Sequence, residues 1–311
     1  MKILVTGGAG FIGSNIVDCL IENGHAVVIV DNLSSGKLSN VNKKAKFIKS
    51  DIRSDRLETV FKSEKFDIVN HHAAQIDVRK SVSDPVFDAQ TNVIGTLNIL
   101  ENCKKYGVKK AIFASSGGTI YGECERVPPD ENSKLMPLSP YGVAKLSVEF
   151  YLNYYSATFG METTVLRYAN VFGPRQDPHG EAGVVAIFSQ KMLNGEDVFI
   201  FGDGRQMRDY VYVQDIVRVN VLCVEKKLRP GKHEIFNIGT CIPISVLTLF
   251  QKLKRETKYP KDPVFKPART GELFKSFLDN SKAKRQLKWH PLVDFSNGLR
   301  LTVNFFRGAL K

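Results

Sequence analysis

The chain has 311 residues, room for roughly two domains, and its 43% apolar and 24% charged content is the ordinary balance of a globular protein. The net charge of +12 is spread along the whole length, with no basic run interleaved with aromatics and no finger or helix-turn-helix spacing; this argues against nucleic acid and suits a doubly anionic small substrate. Five cysteines without metal-ligand spacing fit a reduced cytoplasm, only Met1 and Lys2 precede the first apolar run, so no signal peptide is expected, and no apolar stretch approaches the ~20 residues of a membrane span.

Ile3, Leu4 and Val5 read as a buried parallel strand that runs into Thr6-Gly7-Gly8-Ala9-Gly10-Phe11-Ile12-Gly13. Gly8, Gly10 and Gly13 satisfy G-x-G-x-x-G, and Gly7, Gly10 and Gly13 satisfy G-x-x-G-x-x-G. A helix is expected over 11–23, stopped by Gly24, then a second strand over 26–30 ending at Asp31. Strand, glycine turn, helix, strand and acidic residue are the full context of a dinucleotide fingerprint. Gly7, Gly10, Phe11, Ile12 and Gly13 are therefore candidate pyrophosphate contacts at a helix N-terminus. Asp31 would accept from the adenosine ribose and repel a 2′-phosphate, which points to NAD rather than NADP. Asn32, Ser35 and Gly36 lie on a polar loop that continues around the adenosine. Asp51 and Ile52 follow a third strand and either meet the adenine or, in the case of Asp51, cap a helix before Leu57.

A fourth strand begins at Ile68 and ends in His71-His72-Ala73-Ala74-Gln75, where the small Ala73 and Ala74, with Gln75, permit close approach of a cofactor. Adjacent histidines on a strand face opposite ways and lack partners at ligand spacing, so no metal is expected. A long helix is expected over 85–106, with Asn92 either touching backbone near the nicotinamide or simply exposed. The strand over 110–114 leads into Ser115-Ser116-Gly117-Gly118-Thr119-Ile120-Tyr121-Gly122, whose hydroxyls stand one crossover from the glycine turn. A long loop then reaches Ser139-Pro140-Tyr141-Gly142-Val143-Ala144-Lys145, which opens a helix ending near 159. Tyr141 and Lys145, four residues apart, share a helix face, and the ammonium is expected to lower the phenol's pKa. A phenol so tuned can take a proton from a sugar hydroxyl. The alternation of strands and helices implies an α/β doubly wound parallel sheet of Rossmann type.

Thr6 to Gly13, Asp31, Ser115 to Gly122, Tyr141 with Lys145, and Arg167-Tyr168-Ala169-Asn170-Val171-Phe172-Gly173-Pro174 together resemble the extended short-chain dehydrogenase/reductase family, and within it the enzymes that epimerise UDP-hexoses at C4. The resemblance covers essentially the whole chain. It implies NAD-dependent interconversion of UDP-glucose and UDP-galactose through a 4-keto sugar, with Tyr141, Lys145 and a hydroxyl as the catalytic set, and Tyr141 and Lys145 also touching the cofactor. The family's usual Ser or Thr hydroxyl falls on Gly117 here, so Ser116 or Thr119 must supply it; Ser116 is the one favoured as the catalytic hydroxyl, with Ser115 a spare. The Asp-Glu pair of the related 4,6-dehydratases is replaced by Gly118 and Thr119, which argues against elimination of water. In the second half the resemblance assigns Asn170, Val184, Val185, Phe199, Phe201, Arg208, Arg269 and Glu272 to the UDP moiety, with Arg208 and Arg269 on the phosphates and Glu272 on the ribose. Ser276 falls at the family's gate beside the sugar 2-substituent, and its small size suggests that N-acetyl sugars also enter. The expected division is a Rossmann domain of residues 1–169, joined by about 211–233, and a smaller α/β substrate domain of 170–210 and 234–311. A homodimer formed through the helices over 85–106 and 140–159 is also implied. Alternative readings are another UDP-sugar enzyme, acting on UDP-N-acetylglucosamine or UDP-glucuronate, and a non-catalytic dinucleotide-binding regulator.

Overall fold

The computed structural model describes residues 1–124, 126–179, 183–269 and 273–309. Its strands are β1 (Lys2–Thr6), β2 (Ala26–Asp31), β3 (Lys46–Lys49), β4 (Ile68–His71), β5 (Lys110–Ser116), β6 (Glu162–Tyr168), β7 (Asn170–Phe172), β8 (Phe199–Phe201), β9 (Met207–Tyr212), β10 (His233–Ile238), β11 (Pro243–Ser245), β12 (Val264–Lys266) and β13 (Lys275–Ser276). Its helices are α1 (Phe11–Glu22), α2 (Arg56–Glu64), α3 (Val78–Ser83), α4 (Pro85–Ala89), α5 (Gly95–Lys105), α6 (Gly117–Ile120), α7 (Pro140–Phe159), α8 (Val184–Leu193), α9 (Val213–Glu225), α10 (Val246–Thr257), α11 (Ser281–Leu287) and α12 (Phe295–Ala309).

The chain folds as two units. The first comprises Met1–Ile120, Pro137–Arg167 and Val217–Phe236. The seven-stranded sheet runs in the order β10-β6-β5-β4-β1-β2-β3. β1 pairs in parallel with both β2 and β4, β2 with β3, and β4 with β5. The chain leaves β1 toward β2 on one side and returns to β4 on the other, so the crevice of a doubly wound fold opens beyond the carboxyl end of β1. The near-continuous apolar runs Ile3–Val5 and Val27–Val30 are wholly buried, as strands covered on both faces must be. Leu4, Val28, Val69 and Phe113 from the strands and Leu57, Phe61, Ile99, Leu152 and Tyr155 from α2, α5 and α7 share one core.

The helix expected over 85–106 runs without a break from Pro85 to Lys105, but with a π turn inside it. Asp84 caps α4 through Phe87 N–H, Pro85 occupies its first turn, and a widened π turn over Gln90–Ile94 joins it to α5. A further short helix, α3, precedes it, capped by the Asp77 carboxylate on the N–H groups of Arg79 and Lys80. In α7 the Ser139 hydroxyl accepts from Gly142 N–H, Pro140 opens the helix, and Gly160 ends it at φ 70°.

The second unit comprises Tyr121–Met136, Tyr168–Ile216 and Asn237–Lys311. Residues 121–136, which the sequence reading assigned to the nucleotide half, cluster here instead. Tyr121 donates to Asn237 Oδ1 at 2.7 Å, the Asn237 amide donates to Pro129 O at 3.1 Å, and Asp279 N–H donates to the same carbonyl at 3.0 Å. These long-range bonds have no local pattern that announces them. β9 is the spine of this unit, flanked by β11 antiparallel and by β13 and β7 parallel. Phe172, Tyr210, Tyr212 and Phe295 pack ring on ring against it. Trp289 is fully buried with its indole N–H on Asp215 O at 2.9 Å, a packing role.

Candidate active site

In the first unit, the glycine turn after β1 is packed so closely that only glycines fit. Gly7 sits at φ 69°, and a Cβ there would lie 2.6 Å from Ala73 N. A Cβ on Gly13 would lie 2.2 Å from Gly7 O, and Gly7 O itself accepts from Gly10 N–H at 3.0 Å. Gly10 stands at the N-cap of α1 and offers no side-chain cap, so the leading N–H groups of Phe11, Ile12 and Gly13 have no side chain competing for them. Asp31 is buried at the end of β2, where Oδ2 accepts from Ala9 N–H at 3.0 Å and Oδ1 from Leu33 N–H at 2.8 Å. Each oxygen keeps acceptor capacity for a sugar hydroxyl. Gly36 folds back on this carboxylate, its Cβ position only 2.9 Å from Oδ1, while Ser35 is exposed beside it. An uncapped helix start, a glycine cradle and a fixed carboxylate at the next strand end are the donor and acceptor set of a dinucleotide; the residues present fit NAD.

Asn32 and Asp51 are brought together, Asn32 Nδ2 donating to Asp51 Oδ2 at 2.8 Å. Asp51 does not cap a helix; α2 starts after Asp55, and both oxygens of Asp51 take the Arg53 guanidinium at 2.9 Å. That hydrogen-bonded pair holds the Asp51 carboxyl well below the usual range. Ile52 is buried beneath it. Asn92 is buried rather than exposed, and the π turn aims it at the loop after β4. Asn92 Oδ1 accepts from Gln75 N–H and its Nδ2 donates to Gln75 O, both at 2.9 Å, and also to Asp88 Oδ1 at 3.0 Å. This clamp fixes the Ala73–Ala74–Gln75 turn. His71 uses both ring nitrogens, on Thr6 Oγ1 at 2.6 Å and Thr96 Oγ1 at 2.9 Å, and burial keeps it neutral. His72 bonds Asn70 Oδ1 at 2.8 Å, and burial beside Lys145 lowers its pKa to about 3. Both rings are structural.

Tyr141 and Lys145 share a face of α7 as expected, with the ammonium 5.7 Å from the centre of the phenol ring. The expected electrostatics are not those of the structure. Burial and then the Asp88 carboxylate push the Tyr141 phenol up, not down. Lys145 is itself brought down to about 8 by burial, only partly restored by Asp88 and Glu149. Its ammonium donates to Ala114 O at 2.8 Å and lies 4.6 Å over the Phe113 ring, which anchors it to the strand through one of its three N–H groups. Of the hydroxyls at the carboxyl end of β5 and just beyond it, Ser115 is buried and donates to Glu149 Oε1 at 2.5 Å. Ser116 is half-buried, and the buried Thr119 Oγ1 has no hydrogen-bond partner among the described residues. Thr119 O lies 2.8 Å from where a Gly142 Cβ would stand, so α6 abuts the start of α7 beside Tyr141. Sequence reasoning missed Asp88, Glu149 and Arg53 and quoted Arg167 only within a family motif, without a role; the trace of Glu149 in the sequence is its place one turn beyond Lys145.

In the second unit, Arg208 lies on β9 with NH1 donating to Met207 O at 2.9 Å and Leu273 O at 2.8 Å. Ser276 is its neighbour in register on β13. Asn170 lies on β7 opposite Tyr210, and Val184 and Val185 open α8, the second of them buried. Phe199 and Phe201 point from β8, and the Arg269 guanidinium stands 4.0 Å over the Phe201 ring. Glu272 lies outside the described residues.

The family model described as "NAD dependent epimerase/dehydratase family" matches residues 3–239. A UDP-glucose 4-epimerase of Mycolicibacterium smegmatis is 43% identical over 99% of this chain and 99% of its own. The crystal structure of Thermotoga maritima UDP-glucose 4-epimerase with UDP-glucose is 54% identical and superposes with a TM-score of 0.97 over 100% of both chains. The Thermus thermophilus UDP-glucose 4-epimerase complexed with NAD is 42% identical, with a TM-score of 0.93 over 99% of this chain and 100% of that one. With a match across most of its length and this level of identity, the chain belongs to the NAD dependent epimerase/dehydratase family.

Proposed function

We propose that the protein is an NAD-dependent UDP-hexose 4-epimerase that interconverts UDP-glucose and UDP-galactose. The observation that carries this reading is the Tyr141/Lys145 pair on α7, seated at the carboxyl end of β5 in the same unit as a glycine cradle and Asp31 that fit a dinucleotide. Bound NAD supplies a hydride acceptor and donor for sugar C4. Tyr141 takes the proton of the 4-hydroxyl and returns it once the 4-keto sugar has turned its other face. Lys145 supplies the positive charge that favours the phenolate against the burial that disfavours it. Ser116 or Thr119 gives the sugar 4-oxygen its hydrogen bond; the unpartnered buried Thr119 Oγ1 is a hydroxyl with that capacity unspent. Arg208 and Arg269 hold the diphosphate, Asn170, Val184, Val185, Phe199 and Phe201 the remainder of the UDP group, and Glu272 its ribose. Neither Gly118 nor Thr119 is an acid that could expel water, which favours epimerisation over dehydration.

A second copy of the chain is the partner we propose. Val143, Phe150 and Tyr154 on α7 are 50%, 66% and 51% exposed, and Val86 and Ile94 are 65% and 55% exposed, an apolar surface larger than scattered side chains explain. Among the described residues no helix is long and apolar enough to cross a membrane, and a cytoplasmic homodimer is the form we propose. The small Ser276 beside Arg208 supports entry of N-acetyl sugars as a second activity. Incubation of the purified protein with UDP-galactose and no added reductant tests the main reading. UDP-glucose as product supports it; a different product, or none, overturns it.

A further inference from the structure

We propose that Glu149, held by Arg167, is a positioning residue for this reaction: through Ser115 it fixes the carboxyl end of β5, and with Arg167 it sets the electrostatic field under the Tyr141/Lys145 pair. The inference rests on the epimerase reading of that pair.

Tyr141, Lys145 and Glu149 are spaced at i, i+4 and i+8 on α7, and so lie in a row on one helix face. The two lower members grip consecutive residues of β5. Lys145 Nζ donates to Ala114 O at 2.8 Å, and Ser115 Oγ donates to Glu149 Oε1 at 2.5 Å. The next residue is Ser116, the proposed partner of the sugar oxygen. Glu149 is itself anchored from the neighbouring strand: Arg167 NH2 donates to Oε2 at 2.6 Å, and Arg167 Nε reaches Oε1 at 3.1 Å and Oε2 at 3.2 Å. Both side chains are all but inaccessible, Arg167 at 1% and Glu149 at 3% exposure. A buried ion pair of this kind gains little stability over an apolar pair, because desolvation offsets the attraction. Its placement one turn beneath Lys145 gives it another consequence: removing either charge leaves the other unbalanced next to the catalytic groups.

The remaining groups around that pair are few. Asp88 from α4 acts on both Tyr141 and Lys145. His71 and His72 from β4 are kept neutral by burial, and the Phe113 ring of β5 carries no charge. A change at Glu149 or Arg167 therefore falls on a background in which both histidines are neutral and Asp88 is left in place. A positive charge left alone lowers the pKa of both the phenol and the ammonium, and a negative charge left alone raises both, so the direction holds whichever group governs the limb.

The test is the pH profile of kcat/KM for UDP-galactose with NAD-saturated enzyme. Glu149→Gln should move the profile down by about one pH unit, Arg167→Met should move it up by a similar amount, and the double variant should lie near the wild type. Glu149→Asp keeps the charge but withdraws the oxygen, and should lower kcat without moving the profile. Ser115→Ala, which leaves the ion pair intact, should lower kcat roughly tenfold with KM unchanged, and it carries the positioning half of the test if the single charge variants do not fold. Shifts of the same sign, no shifts, or an unchanged kcat in Ser115→Ala would overturn the proposal, provided Tyr141→Phe abolishes turnover. Retained turnover in Tyr141→Phe would instead sink the epimerase reading on which it stands.

Discussion

Replacing Gly13 by Ala isolates the glycine cradle from everything else in the molecule. The new Cβ would fall 2.2 Å from Gly7 O, 2.9 Å from Gly7 C and 3.0 Å from Gly8 Cα, all of them backbone atoms that cannot rotate away. To restore ordinary contact the Gly7 carbonyl must retreat by about 1 Å. It cannot do so freely, since it accepts from Gly10 N–H at 3.0 Å and the far side of Gly7 already abuts Ala73 N. Over-packing of this sort costs about 1–3 kcal/mol. Part of that falls on stability and part on the turn that presents the N–H groups of α1, so NAD affinity should drop by about three- to ten-fold if the cost divides evenly, at ~1.4 kcal/mol per decade. Calorimetric titration with NAD, beside urea unfolding, separates the two. Wild-type affinity together with wild-type stability would refute the steric argument, because nothing else in the turn has room to yield.

Tyr141→Phe should reduce turnover by about 10²- to 10⁴-fold, a much larger loss than any in NAD affinity, measured by conversion of UDP-galactose and by titration. Ser116→Ala and Thr119→Val ask which hydroxyl stands in at the position of Gly117; the one that carries the hydrogen bond should lose about 1–3 kcal/mol of transition-state stabilisation, read as kcat/KM, and an unchanged rate in both would remove the hydroxyl from the mechanism. Stability should fall as pH is lowered from 6.5 to 5. His71 and His72 are held neutral in the fold, so the unfolded chain takes up their protons first, near pH 6.5, and stability rises with pH across the window between that value and the folded value, about 3 for His72. The slope is about 1.4 kcal/mol per pH unit for each histidine, and the depressed Asp51 enters only below the ordinary carboxylate range. Urea midpoints at pH 7.5 and 5.0 should therefore differ, and His72→Asn should flatten the difference; equal midpoints in the parent protein would contradict the burial argument.

The parts of this molecule that were legible in the sequence are those whose chemistry is local. Gly7 to Gly13 between two apolar runs, Asp31 at a strand end, and Ser139-Pro140 opening a helix each carry their own reason within a few residues, and each appears where that reason puts it. The rest depended on contacts far apart in the chain. Asn92 reads as one polar residue on a long helix, and only the π turn over Gln90–Ile94 buries it against Gln75. Asp51 reads as a helix cap because Asp and Ser abound before Leu57, but Arg53 two residues on outbids the helix for both oxygens.

The sign of the Tyr141 shift is the sharper case. Spacing on α7 correctly brings an ammonium to 5.7 Å from the phenol ring, yet spacing is silent about desolvation, and burial followed by the Asp88 carboxylate pushes the phenol up. One N–H of the Lys145 ammonium is meanwhile held by Ala114 O. A Tyr-x-x-x-Lys pattern thus identifies which groups meet, while the charges packed around them, Asp88 on one side and Glu149 with Arg167 below, decide how readily the phenol gives up its proton. Those three residues come from α4, α7 and β6, separated by up to half the first unit's sequence, and no window of the chain contains them all. The catalytic pair is a local motif, and its tuning is a property of the folded sheet.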